Sequence, residues 1–319
     1  MKLANPIYDT VFKYLMEDTE IARRFLSQII GEKITKIEIR PQEHTLKTQK
    51  HGITILRFDF KATIQLKEQP LPTKKASKNW KAKYKTILIE LQKAKKPKDI
   101  ERFRRYLGDN YQKKDTITDE TGKVKPVDLP IVTIYILGFS IPPIETSILK
   151  INRVYIDLNT NQALAVQTEF IEKLTHDCFV ILIKKLPKKS RSELERILQV
   201  FNQTHIIESD NKFLEINENL VKDNELLQLM SGRLRDAAAD EEVIEGILIE
   251  QEFEEVLDQH IREKEELMEE NDGLKGDLKD REEKLKERDE KLKDKNEKLK
   301  EQNRLIEELK KQLNNKKGD

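Results

Sequence analysis

Beyond about residue 240 the chain has little choice of structure. Leu278, Leu285, Leu292, Leu299, Ile306 and Leu313 recur every seven residues, and KLKERDE, KLKDKNE and KLKEQNR repeat closely in residue type. A seven-residue apolar period belongs to a helix and forms half of a heptad seam. The other half is polar. Counting the leucines as d puts Glu282, Asp289, Asn296 and Asn303 at a; counting them as a puts Arg281, Arg288, Lys295 and Gln302 at d. Such a seam permits either a marginal coiled coil or a single helix held by i,i+4 charge pairs. We expect a long charged helix over 240–315 that self-associates as a coiled coil, making the protein a homo-oligomer.

This segment accounts for much of a composition that is 37% charged and 6% aromatic, more charge than a compact domain usually carries. The net charge of +1 conceals a polarity: residues 67–114 hold 16 Lys or Arg against 5 Asp or Glu, and residues 236–319 hold 29 acidic against 18 basic. A basic stretch of this density attracts phosphate backbones, although it is also what an ordinary solvated surface looks like. One cysteine, Cys178, excludes an internal disulfide framework and a Cys-rich zinc site. No run of 18 apolar residues is present, and the N-terminus lacks the apolar core of a signal peptide. A cytoplasmic protein with no membrane partner is the expectation.

The N-terminal part alternates between helical and strand periodicity. Apolar residues from Ile7 to Ile30 recur at helical spacing, and Gly31 ends the run. ITKIEIRP (34–41) and GITILRFDFKATIQL (52–66) read as strands, 67–85 as a Lys- and Pro-rich loop or hairpin tip containing Trp80, and KTILIELQKAK (85–95) as a further strand. DIERFRRYLGDNYQKKD (99–115) reads as a helix with Asp99 at its N-cap, and LPIVTIYILGF (129–139) as a strand buried on both faces. This order predicts an α/β fold, a mixed sheet flanked by helices, over residues 1–145. Within 146–235, RVYIDLN (153–159) reads as a strand, and 170–186 and 191–203 read as helices, giving an α-rich extension that packs on the core.

Chemistry concentrates on two strands. Asp59 lies between Phe58 and Phe60, and Glu90 between Ile89 and Leu91. Carboxylates set in apolar strands are costly unless paired or bound to metal. Glu90 and Gln92 alternate onto one face of their strand. If the two strands are neighbours, two carboxylates and an amide converge, an oxygen set that suits Mg²⁺. The competing reading is that both acids simply face water. Lys61 shares a face with Asp59, whereas Lys93 points to the opposite face from Gln92. On the following helix Arg105 and Tyr106 either contact phosphates and bases or belong to the ordinary surface and core of that helix. The five histidines, at 44, 51, 176, 205 and 260, show no metal-ligand spacing.

Five segments appear in an order that resembles the Rpn family of recombination-promoting nucleases, putative transposases within the PD-(D/E)xK nuclease superfamily. They are NPIYDTVFKYLMED, RFDFKATI, ILIELQKAK, RFRRYLGDNYQKKD and DLPIVTIYILGFSI, spread over about residues 5–141. The resemblance implies a restriction-endonuclease-like fold and Mg²⁺-dependent hydrolysis of DNA phosphodiesters, with Mn²⁺ as a substitute metal. It implies Asp59 and Glu90 as metal ligands and Asp9 as a further ligand or a residue behind one. Gln92 would take the place of the superfamily lysine that orients the attacking water. Lys61, Lys93, Arg105 and Tyr106 would contact DNA. Two departures stand out: Arg57-Phe58 replaces the Pro-Asp of the superfamily pattern, and Gln92 carries no charge. The rival reading is an inactive nuclease fold that serves as a coiled-coil assembly or DNA-binding module.

Overall fold

The computed structural model describes the chain except for residues 41–44, 47–54, 57–59, 68–81, 95–98, 119–120, 208–209 and 316–319; for 45–46, 55–56, 99, 102 and 311–315 it describes the backbone alone. Two compact units result, Met1–Gln251 and Glu252–Asp319.

A short strand, β1 (Lys2–Ala4), opens the first unit. The expected helix over 7–30 is two helices, α1 (Asp9–Glu17) and α2 (Thr19–Ile30). The break falls at Asp18, whose extended backbone stops α1 and whose carboxylate accepts from the amides of Glu20 and Ile21 to cap α2. Gly31 ends α2 with a φ of 71°, a left-handed conformation that costs glycine nothing.

The strands β2 (Ile34–Arg40), β3 (Thr45–Leu46), β4 (Ile55–Leu56), β5 (Phe60–Leu66) and β6 (Tyr84–Gln92) follow. Helix α3 (Asp99–Gln112) stops three residues short of its expected end, because Asp115 starts a hairpin, β7 (Asp115–Thr118) and β8 (Val124–Val127), that sequence reading missed. The expected buried strand is β9 (Ile131–Leu137), then β10 (Ile148–Ile151) and a small hairpin, β11 (Tyr155–Asp157) with β12 (Gln162–Leu164).

The helix expected over 170–186 is corrected. Only α4 (Glu169–Leu174) is α-helical there; His176–Leu182 is strand β13, parallel to β9, and Ile183–Lys185 is a single 3₁₀ turn. An apolar run with no period-2 alternation suits a strand covered on both faces as well as a helix, and here pairing to β9 decides. The helix expected over 191–203 is also shorter: α5 (Glu193–Ile197) tightens into 3₁₀ turns from Leu198. Strands β14 (Ile206–Ile207) and β15 (Asp210–Glu215) form a three-stranded sheet with β1, and the helices α6 (Glu225–Ala237) and α7 (Glu241–Asn315) finish the chain.

The main sheet has six strands in the order β10-β13-β9-β6-β5-β2. Strands β13, β9 and β6 are parallel, and β5, β2 and β10 are antiparallel to their neighbours. Residues 146–235 therefore supply two strands of the main sheet as well as helices. One face of the sheet, carrying Phe60, Ala62, Ile64, Ile87, Ile89, Ile134 and Ile136, joins α1, α2 and α6 in the main hydrophobic core. Phe12 meets Phe60 edge-on with ring centroids 6.2 Å apart, and Phe25 stacks on Phe201 at 5.8 Å. No helix among the described residues is long and apolar enough to cross a membrane.

Candidate functional site

The opposite face of the sheet is polar around β6, near its middle, and apolar toward β13, where Leu137, Val180 and Leu182 form a second small cluster. In the β6–β9 register Leu88 faces Thr133, Glu90 faces Tyr135 and Gln92 faces Leu137. On the other side Leu88 faces Lys61 of β5. Strand alternation thus places Lys61, Glu90, Gln92, Thr133 and Tyr135 on one face.

Helix α3 lies over this face. The ring of Phe103 meets that of Tyr135 at 5.2 Å, and Phe103, Tyr106 and Leu107 close over Leu88, Glu90 and Thr133 around a cavity of about 10 Å³, room for roughly one water. Glu90 is 6% exposed and Gln92 5% exposed. Both amide atoms of Gln92 are buried, and neither has a hydrogen-bond partner. A buried amide in that state carries a desolvation cost of about 1–3 kcal/mol for each orphaned group.

Toward the start of β6 the same face holds a satisfied polar network. The Lys61 ammonium lies 2.8 Å from the Asp115 carboxylate and donates to Asn110 Oδ1 at 3.0 Å. Thr86 Oγ1 donates to the other Asp115 oxygen at 2.6 Å. Lys61, at 8% exposure, therefore clamps β5 to α3 and β7. Sequence reading missed Asn110 and Asp115. The only available signal was a polar residue at the inward position of α3 and an acid just past its end. Next to this network Tyr111 Oη and His176 Nδ1 are 3.0 Å apart. Burial lowers the His176 pKa, and the Arg153 charge adds to the effect. Burial raises that of Tyr111.

Asp59 lies outside the described residues; in sequence it directly precedes Phe60, which faces Ile89. Asp9 opens α1, and its amide donates to Glu250 of α7 at 3.0 Å. Lys93 leaves the Gln92 face as expected, and its ammonium stands 4.2 Å from the centre of the Tyr8 ring, beside the first turn of α1. Arg105 is exposed on α3, together with Arg104, while Tyr106 is half-buried at the cavity. The structure thus brings Glu90 and Tyr106 to one cavity, puts Gln92 on the same strand face beyond it and Lys61 on that face toward the start of β6, sets Lys93 beside the start of α1, and leaves Arg105 on the surface. Trp80 also lies outside the described residues.

Gly138 fixes how β6 and β9 end. Its amide donates to the Gln92 carbonyl at 2.7 Å, and a Cβ added there would lie 2.4 Å from the Lys93 carbonyl oxygen. Only glycine lets the chain after β9 pass this close to the strand that carries Gln92.

Among the described residues no group of three or more His, Cys, Asp and Glu side chains is placed to hold a metal ion. Glu90 and Gln92 alone supply a carboxylate and an amide oxygen, hard donors of the kind Mg²⁺ takes. The orphaned Gln92 amide fits a group that is completed by a ligand or ordered water. Compared with known proteins, the chain matches no family model, no curated protein and no solved structure.

Proposed function

We propose that the first unit is a Mg²⁺-dependent DNA endonuclease of the Rpn type, in the PD-(D/E)xK superfamily, with Asp59, Glu90 and Gln92 as its reacting centre. The observation that carries this reading is the pair on β6. Glu90 and Gln92 share one buried face at the carboxyl end of a central parallel strand, and both amide atoms of Gln92 lack a partner. The carboxyl ends of parallel strands are where open α/β sheets bind ligands.

Glu90 would hold the metal together with Asp59, and Asp9 is a further candidate ligand. Bound Mg²⁺, or Mn²⁺ in its place, would supply an activated water and charge neutralisation at the phosphodiester. Gln92 has no charge to give, so its role is positional: the carbonyl oxygen accepts from the attacking water and the NH₂ donates to a phosphate oxygen. Tyr106 walls the site from α3. Arg105 and Arg104, exposed on that helix, are placed to meet the DNA backbone, and Lys93 flanks the strand end. Lys61, held by Asp115 and Asn110, supports the sheet beneath them. The cavity at Glu90 is too small for a nucleotide, so cleavage requires α3 to shift or the substrate to approach from the strand ends.

The test is plasmid nicking by the purified protein with Mg²⁺, Mn²⁺ or EDTA, alongside Asp59→Ala and Glu90→Ala. Metal-dependent cutting that both substitutions abolish is the expected result. If DNA is bound but never cut under any metal, the protein is an assembly or DNA-binding module with an inactive nuclease fold.

A further inference from the structure

The second unit carries its own partner specification. From Glu252 onward α7 continues as an exposed helix, and Leu267, Leu274, Leu278, Leu285, Leu292, Leu299, Ile306 and Leu309 are each between 48% and 64% exposed. Placing Leu278, Leu285, Leu292, Leu299 and Ile306 at a puts Phe253, Leu267, Leu274 and Leu309 at d, so apolar seam residues recur toward both ends, interrupted on the N-terminal side by His260 at d and by Lys264 and Asn271 at a. In the middle, cations fill d at Arg281, Arg288 and Lys295.

Charge is divided along the same helix. Residues 252–283 hold 14 acidic and 5 basic side chains, and residues 284–315 hold 8 acidic and 11 basic. Two copies aligned in the same direction would set acidic half on acidic half. They would also stack Arg281, Arg288 and Lys295 on their own counterparts in successive core layers, which buries unpaired like charge. Opposite alignment sets acidic half on basic half and moves each cation off its own counterpart: Arg281 faces Leu278 and Arg288 faces Asn271, and Lys295 facing Lys264 is the one like-charge layer that stays.

We propose that α7 pairs with α7 of a second copy as an antiparallel two-stranded coiled coil, centred between Leu278 and Arg281. In antiparallel coils an a residue packs across from a d residue of the other helix. Leu285 then meets Leu274 of the second copy, Leu292 meets Leu267, and Ile306 meets Phe253. Leu278 covers the aliphatic stem of Arg281, whose guanidinium reaches solvent. The flanking g positions pair Lys284 with Asp277, Lys291 with Glu270 and Lys298 with Glu263; the e positions pair Glu282 with Lys275. Every one of these contacts is attractive, and each occurs twice by symmetry. This proposal is independent of the nuclease reading.

The experiment uses the full chain with Cys178→Ser as background. Sedimentation equilibrium of the unsubstituted chain should give a dimer that dissociates more readily as salt rises from 0.1 to about 1 M, where screening is nearly complete. Leu274→Cys and Leu285→Cys chains, one carrying a size tag, are then oxidised separately and mixed. The expected product is a disulfide only in the mixture, joining one chain of each kind, and the same holds for Leu267→Cys with Leu292→Cys. A monomer or a higher oligomer in sedimentation overturns the proposal. Homotypic disulfides from each variant alone establish the parallel arrangement and overturn it as well. A dimer in which neither mixed pair cross-links rules out this register.

Discussion

Replacing Gln92 with leucine tests the site through stability as well as chemistry. The side chain is 5% exposed, packs across from Leu137, and leaves a buried NH₂ and a buried carbonyl oxygen without partners. Leucine is close in volume and has no polar atoms to desolvate. Relief of the orphaned groups should stabilise the fold by about 1–3 kcal/mol. For a domain of this size that is a rise of roughly 2–12 °C in the melting temperature. Calorimetry or thermal circular dichroism of Gln92→Leu against the parent, both without divalent metal, measures it. The same variant should lose metal-dependent nicking, so stability and activity move in opposite directions, as expected where a fold retains an unfavourable group for function. A melting temperature that falls by several degrees would refute the reasoning, because it would mean the amide makes interactions worth more than its desolvation. A stabilised variant that still cuts DNA would remove Gln92 from the mechanism.

Three further outcomes follow from the same structure. Asp115→Leu strands the Lys61 ammonium inside the domain and should cost about 3–5 kcal/mol in urea unfolding, whereas Lys61→Met with Asp115→Leu should cost clearly less than the sum of the two single changes; additive effects would show that the pair is not coupled. Gly138→Ala drives a methyl group against the Lys93 carbonyl and should destabilise by about 1–3 kcal/mol, read as a lower melting temperature, whereas Gly108→Ala, inside α3 where a Cβ meets nothing within 4 Å, should raise it by relieving about 0.5–1 kcal/mol of helix propensity. Glu195, which accepts from Arg191 and Ser147, has its pKa lowered from 4.5 to about 2, chiefly by the Arg191 hydrogen bonds. Its contribution is therefore complete above about pH 4.5 and is lost as pH falls toward 2, and Glu195→Gln should flatten stability across that window in acid titration followed by circular dichroism.

What could be read from the sequence followed the strength of the local signal. The long α7 was legible because a seven-residue period sustained over many turns has no strand equivalent, and β6 and β9 were legible from their apolar, β-branched content. Strand β13 was not, since full burial removes the alternation that would mark a strand, and its parallel pairing to β9 is a tertiary fact. The break at Asp18 left the helical spacing of Ile7 to Ile30 nearly intact, so only the capping side chain betrays it. Glu90 and Gln92 could be assigned to one face from period-2 geometry alone. The fate of Lys61 could not, because its partners Asn110 and Asp115 lie 49 and 54 positions away in the chain.

The first turns of α7 belong to the core of the first unit. Val243 and Ile247 are buried there, Glu250 accepts from the amides of Asp9 and Thr10 at the open end of α1, and Gln251 donates to the Tyr8 hydroxyl. The slow, unfavourable event in forming any helix is its first turn, and here that turn is assembled by the folding of the globular part. The arm beyond Glu252 therefore grows from a ready-made seed. Severing the chain between Gln251 and Glu252 would leave the same 64-residue helical sequence to start its own nucleus, so the arm borrows its order from the core.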